Sequence, residues 1–335
     1  VTGAVNGDFV SQIEGAKEVM EGASKELLGI KAIDDYTVEI TLAEPYAGFL
    51  ACLSSSPVCM LDKETTEAAG DKFGIDPEVT VGTGAFNMAE WTVNDSIVLT
   101  RNEEYWGGDV SLPGVVIKII PDSETRNMMF KNGELDILDF DFMLDYIDTY
   151  KREMPELLFH TPRVGMTYFT FNENIEPLND VNVRKALSMA INRQEIIDSL
   201  LGGVATVENG IYPRGLIAHS NDLPQLKYDP EEAKSLLAQA GYANGFDMEI
   251  AVDSSASDAT RTILEVMAAQ LNEVGVNPTI KNYDESTWLA TRKDGTLGSY
   301  MSTWTADYND PDNFIYTFFG NENNTKMRSI NYYDK

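Results

Sequence analysis

The chain has 335 residues, 43% of them hydrophobic and 24% charged, which is long enough for two domains with a substantial core and unlike the composition of a disordered segment. Lys and Arg total 25 against 54 Asp and Glu, a formal charge of −29, so nucleic acid and anionic membrane surfaces are poor partners and a cationic, zwitterionic or neutral ligand is easier to accommodate. The acidic residues are spread along the chain, and most of them read as solvated surface.

From the N-terminus, residues 1–28 read as polar helix or loop, with Ile13, Ala16, Lys17 and Met20 only loosely periodic. No run of 18 apolar residues marks a direct membrane span, and the first residues lack the basic, apolar and small-residue regions of a signal peptide. The start at Val1 is compatible with a cytoplasmic start, a mature start or a cut inside a longer protein. Residues 29–33 and 37–42 predict a hairpin around Asp34 and Asp35, with Val38, Ile40 and Leu42 alternating onto one face. Cys52 and Cys59 lie seven positions apart; they are compatible with a local disulfide or with buried or merely unbonded thiols. Two thiols in a loop are too few for a zinc site, and the only histidines, His160 and His219, offer no ligand spacing. A second hairpin is predicted over 85–91 and 96–101, with Val93, Asn94 and Asp95 as the turn. Gly82-Thr83-Gly84 before it fails as a phosphate loop, because neither Gly-Lys-Ser/Thr nor a helix start follows.

Residues 115–120 predict a strand, Asp122 caps a helix that Gly133 stops, and 135–138 predict another strand, an α/β order. A helix over 142–153 and a strand over 166–171 follow. Val183, Ala186, Leu187, Ala190 and Ile191 form the apolar stripe of a packed helix behind Asn179 and Asp180, with Arg184 and Lys185 as solvated residues beside it. Asn192 and Glu195 pair to cap the next helix, which ends at Gly202-Gly203. Asp229 and Pro230 start another, striped by Ala233, Leu236, Leu237 and Ala240. Strand 248–252, a helix carrying Ile263, Val266, Met267, Leu271 and Val274, and strand 276–283 then predict an α/β layer. A last strand over 298–303 would place Trp304 and Asp307 just beyond its end, where α/β sheets tend to bind ligands. The residues there, Trp304-Thr305-Ala306-Asp307-Tyr308-Asn309-Asp310-Pro311-Asp312-Asn313-Phe314, alternate aromatic rings with carboxylates. Such a run suits a rigid wall beside an acid that attracts a cation, and equally an acidic turn whose rings simply pack.

No catalytic constellation assembles. No nucleophile sits near a histidine in a recognisable motif, and Asp310 with Asp312 is as common on an acidic surface as in an active site, which argues against a hydrolase. Calcium binding by residues 307–312 fails the EF-hand pattern, since Pro311 stands where an oxygen ligand belongs and no turn glycine follows. No cofactor or metal is expected.

The run Pro177-Leu178-Asn179-Asp180-Val181-Asn182-Val183-Arg184-Lys185-Ala186-Leu187-Ser188-Met189-Ala190-Ile191-Asn192-Arg193 resembles the signature of the peptide and nickel class (family 5) of extracellular solute-binding proteins of ABC importers. Gly82-Thr83-Gly84-Ala85-Phe86, Arg101-Asn102-Glu103-Glu104-Tyr105-Trp106, the helix from Asp229 to Gly241-Tyr242 and the run 304–314 resemble it in the same order. Ala32-Ile33-Asp34-Asp35 and Ala306-Asp307-Tyr308-Asn309 are most similar to oligopeptide-binding proteins. The resemblance implies an α/β, two-lobed periplasmic-binding-protein-like fold of the enlarged peptide-binding class (type II). It also implies capture of an extended peptide between lobes for an ABC permease, outside the cytoplasmic membrane, in the periplasm or on a lipid anchor.

Relatives of this class are longer, so the chain is expected to be an internal fragment with both lobes incomplete and unpaired sheet edges exposed. Residues 1–161 would be part of the first lobe with part of its extra subdomain, and 162–335 the second lobe without its C-terminal closing elements; the one visible crossing falls near 162–172. By resemblance Asp307 pairs with the peptide α-ammonium, Trp304, Thr305 and Tyr308 shape the wall beside it, and Tyr168 stands near the crossing. A basic residue of oligopeptide binders is replaced here by Met301; Arg292 matches a neighbouring basic position and is compatible with substituting for it or with being a solvated residue. Relatives with a disulfide near Gly165 and Thr305 are not matched, since neither is Cys. A nickel chelate, a sugar or another solute, and a peptide-sensing receptor, are the alternatives.

Overall fold

The computed structural model describes residues 7–139 and 144–319. The fold is mixed α/β and divides into two compact units, Val1–Ala43 with Leu53–Asp139, and Glu44–Cys52 with Phe140–Lys335. The first unit opens with α1 (Ala16–Met20) and the hairpin of β1 (Ile30–Asp34) and β2 (Thr37–Ile40), in register Ile30 to Ile40 and Ala32 to Val38. The chain then leaves this unit for residues 44–52, which carry α2 (Phe49–Cys52), and re-enters it with α3 (Lys63–Ala69).

β3 (Phe86–Thr92), β4 (Ser96–Arg101) and β5 (Gly114–Lys118) form an antiparallel meander. Asn94 takes φ +62° in the β3–β4 turn, a left-handed conformation that Asn tolerates because its side chain bonds locally. Asp122 Oδ1 accepts the Thr125 amide at 2.7 Å and caps α4 (Ser123–Lys131) as expected. The strand predicted over 135–138 is absent; β5 pairs only with β4 among the described residues, and Ile137 is 86% exposed, with no sheet for it to enter. Val38 also stays exposed, while Ile40 and Leu42 are half-buried and Leu42 bridges to the buried Ile13, so the apolar face of the hairpin is only partly covered.

The second unit continues with α5 (Leu144–Glu153); Phe142 and Met143 of the predicted helix lie outside the described residues. β6 (Gly165–Thr170), α6 (Val181–Ala190), α7 (Arg193–Leu200), α8 (Pro230–Gln239), β7 (Phe246–Asp253), α9 (Asp258–Glu273) and β8 (Val276–Tyr283) follow, then α10 (Glu285–Lys293), β9 (Ser299–Thr305) and α11 (Asp312–Phe319). The four strands lie in the order β6-β9-β7-β8, with β7 parallel to β8 and β9 and β6 antiparallel to β9. One face carries the main core, where Val183, Ala186 and Leu187 of α6, Leu237 of α8 and Leu264 and Leu271 of α9 meet Ile250 and Val252 of β7. Fully buried leucines such as Leu187 and Leu271 each stabilise the unit by about 1.5–3 kcal/mol relative to exposure. Strand alternation sends Ala251 and Tyr300 to the other face, with Leu297, Tyr283 and Trp288.

Arg184 is not a merely solvated neighbour of the α6 stripe. Its Nη1 donates to the carbonyls of Leu178 and Asn179 at 2.8 and 3.0 Å, and Nη2 lies 3.3 Å from Glu173, so it ties the loop before the helix to the helix itself. Cys52 is buried, Cys59 is exposed, and no disulfide joins them.

Candidate ligand-binding site

β7 pairs with β9 only at Ser299 and Tyr300, so from Met301 to Thr305 the described ladder of β9 runs with β6 alone. The strand ends two residues later than predicted: Trp304 and Thr305 are its last residues, and Asp307 follows its end. Cross-strand partners share a face, so Met166, Tyr168 and Thr170 lie with Trp304, Ser302 and Tyr300, while Phe169 lies with Met301 against the main core. Phe318 of α11 stands edge-on to both Tyr168 and Trp304, at ring separations of 5.5 and 5.2 Å, the geometry that aromatic quadrupoles favour. Arg292 of α10 belongs to this face, its guanidinium 5.4 Å from the Tyr300 ring. Burial pushes the Tyr168 phenol up, with Ser302 and Arg292 acting in the opposite direction.

Tyr168, Trp304 and Arg292 are therefore presented on one face of the sheet, and Thr305 on the other. Gly165 and Thr305 are direct cross-strand partners. A Cβ on Gly165 would stand 2.7 Å from the Trp304 carbonyl oxygen, so the strands approach here through the absence of a side chain.

Three carboxylates follow β9, and their partners separate them. Asp310 Oδ1 accepts the Asp312 amide at 2.9 Å. Asp312 Oδ2 accepts the hydroxyls of Tyr46 at 2.7 Å and Tyr308 at 3.3 Å. Asp307 is the exposed one. Its amide donates to Asn313 Oδ1 at 3.0 Å and its Oδ2 accepts Asn313 Nδ2 at 3.2 Å. Asn313 is 2% exposed, and the Trp304 indole Nε1 donates to its carbonyl at 3.1 Å and to its Oδ1 at 3.3 Å. One buried carboxamide thus brackets the indole and the carboxylate. An ionised carboxylate offers about four acceptor positions, so this bracket leaves Asp307 with capacity for a cationic donor from solvent.

Tyr308 is turned inward. It is 9% exposed and lies with Tyr46 and Cys52 beside Asp312. Burial, with the Asp312 carboxylate beside it, drives the Tyr46 phenol far above its ordinary value, and burial does the same to Tyr308. These hydroxyls stay protonated donors, and the cluster fastens residues 44–52 to the base of α11 within the second unit. Removing the Tyr46 hydroxyl by Tyr46→Phe is expected to lower stability by about 1.5–3 kcal/mol, the range for a hydrogen bond to a charged group. Chemical denaturation checks this, and an unchanged midpoint would remove the bond from the account.

Asn313 was not singled out in the sequence, although it stands within the aromatic and acidic run. The one signal for it is its place three residues after Asp310, at the start of a helix, where it is the second residue of α11. Among the described residues no group of three or more His, Cys, Asp or Glu is placed to hold a metal ion, and no helix is long and apolar enough to cross a membrane.

Residues 6–326 match the family described as bacterial extracellular solute-binding proteins, family 5 Middle. The chain is 31% identical over 315 residues to the dipeptide-binding protein of Escherichia coli K12, covering 91% of this chain and 58% of that protein. It is 29% identical over 313 residues to heme-binding protein A of Haemophilus influenzae, covering 91% of this chain and 57% of that protein. Among solved structures it is similar to the ABC transporter-associated periplasmic binding protein DppA of Helicobacter pylori in complex with the peptide STSA, with TM-score 0.74, 28% identity and coverage of 92% of this chain and 61% of that one. The chain therefore spans somewhat under two thirds of the length of these relatives.

Proposed function

The chain belongs to the family 5 bacterial extracellular solute-binding proteins, and from that premise we propose that it is the greater part of a subunit that captures oligopeptides for an ABC importer. The observation that carries the reading is the exposed Asp307 carboxylate, held beside the Trp304 indole by Asn313. A carboxylate fixed before the ligand arrives pairs with an α-ammonium without first losing its own freedom, and an α-ammonium is common to peptides of any sequence. Tyr168 and Arg292, on the face that Trp304 shares, line the path of the backbone away from that end. Thr305 borders it from the other side of the strand, and Tyr308 contributes by fixing the turn from within.

The family consists of binding proteins, and we propose that capture and delivery to permease subunits involve no catalysis. In this reading residues 1–161 are part of the first lobe, apart from residues 44–52 and 140–161, which group with the second compact unit, and residues 162–335 are part of the second lobe, with peptide closed between lobes by a hinge motion of the full-length protein. The protein works outside the cytoplasmic membrane, in the periplasm or lipid-anchored. Two relatives of nearly equal identity are named for a dipeptide and for heme, so identity alone leaves the cargo open and the ligand itself must be measured. Native mass spectrometry of the full-length protein as purified is expected to show a ladder of short peptides. A single heme, metal chelate or sugar in its place would overturn the peptide assignment.

A further inference from the structure

The turn that carries Asp307 is joined to a second loop. Asn309 Nδ2 donates to the Gly215 carbonyl at 3.1 Å, and its Oδ1 accepts the Ile217 amide at 3.1 Å. Both polar ends of one carboxamide are thereby spent on two backbone groups two residues apart, a bidentate clamp. The Ala306 amide donates to the Val164 carbonyl at 2.8 Å, and a Cβ at Gly215, where φ is +89°, would stand 2.9 Å from Val164 Cγ2. Only glycine lets the loop close onto this corner. Pro213 is buried ahead of the joint and Leu216 between its two bonded residues, the His219 Nδ1 donates to the Tyr212 carbonyl at 2.9 Å, and the Arg214 amide donates to Glu208 at 3.3 Å. Against this fixed backbone Ile217 is 77% exposed. A single exposed apolar residue is ordinary on a protein surface; what distinguishes Ile217 is its place, since its amide is held by the residue two positions after Asp307.

Resting on the peptide reading above, we propose that Asn309 is a positioning residue that docks the loop carrying Ile217 onto the Asp307 turn. Ile217 is in turn a specificity-determining side chain that contacts the first side chain of a bound peptide. Asp307 receives the α-ammonium without regard to sequence, and Ile217, on the loop that Asn309 docks to the same turn, favours an apolar first residue, because apolar area on both partners leaves water together. An acidic or short polar first residue gains nothing from that contact.

The test is calorimetric titration of the full-length protein with tripeptides that differ only in the first residue, Leu-Ala-Ala, Ser-Ala-Ala and Gly-Ala-Ala. Wild type is expected to bind Leu-Ala-Ala about fivefold more tightly than Ser-Ala-Ala, the scale of a partly buried apolar contact. Ile217→Ser should abolish that ratio and leave Gly-Ala-Ala affinity within about twofold. Asn309→Ala should reduce the ratio as well, without changing the side chain that touches the peptide. A wild type that binds none of the tripeptides would defeat the peptide reading itself. A wild type that binds all three, with a Leu to Ser ratio that neither variant moves, would overturn this inference alone; circular dichroism of each variant separates loss of the ratio from loss of the fold.

Discussion

Asp307→Ala is expected to weaken peptide binding by the full-length protein by about 2–5 kcal/mol, the cost of removing one partner of a hydrogen-bonded charge pair closed away from water. The carboxylate is exposed and already bracketed by Asn313; its removal keeps the bonds of Asn313 to the indole and to the Asp307 amide and takes away both the acceptor for the ligand and the partner of the Asn313 Nδ2. Asp307→Asn should lose nearly as much, since the amide keeps the shape and gives up the charge. The loss is expected to appear as faster dissociation of the peptide, with little change in the association rate. Calorimetry on both variants checks it. Equal affinities for wild type and Asp307→Ala would place the α-ammonium elsewhere, and the neighbouring acids offer no ready replacement, because Asp310 is spent on the Asp312 amide and Asp312 on two phenols.

The second large effect concerns stability. Gly245 and Gly275 immediately precede β7 and β8, whose first residues Phe246 and Val276 are paired. Both glycines take positive φ, +74° and +90°, and a Cβ on Gly245 would lie 1.6 Å from the Gly275 carbonyl oxygen. Gly245→Ala combines an unfavourable left-handed backbone with a backbone collision that no rotamer relieves, and is expected to cost about 3–5 kcal/mol. Gly241, at φ +93° after α8, has nothing within 4 Å of its Cβ position, so Gly241→Ala carries the backbone penalty alone, about 1 kcal/mol. Urea denaturation of the two variants separates the terms. Similar losses at both sites would mean that the strands part easily at their starts and that the close approach contributes little.

The helices of the second unit were legible because their signals are local. Asp180, Asn192 and Asp229 each accept an amide of the first turn that follows them, and the apolar stripe of α6 is the buried one. The helices α10 and α11 went unread for different reasons. Asp284 caps α10 through the Thr287 amide at 3.0 Å, a signal present in the chain but overshadowed by the strands on either side. The start of α11 lies inside the aromatic and acidic run, where the same carboxylates suit a turn, a cap or a ligand.

The sequence by itself determined the mixed α/β class, the caps and stripes of most helices, the strands around β7 and β8, and the family, because each of these is written in residues a few positions apart or in an ordered series of motifs. The tertiary structure decided which carboxylate faces outward. Asp307, Asp310 and Asp312 are chemically alike, and what separates them is distant: Tyr46 lies 266 positions from Asp312 and Tyr168 meets Trp304 through Phe318. It also decided that Tyr308 points inward, that Thr305 and Trp304 part to opposite faces, and that residues 44–52 pack with the second unit. Side-chain direction at a strand end depends on register and on whatever polar partner the fold delivers, and neither is encoded within reach of the residue itself.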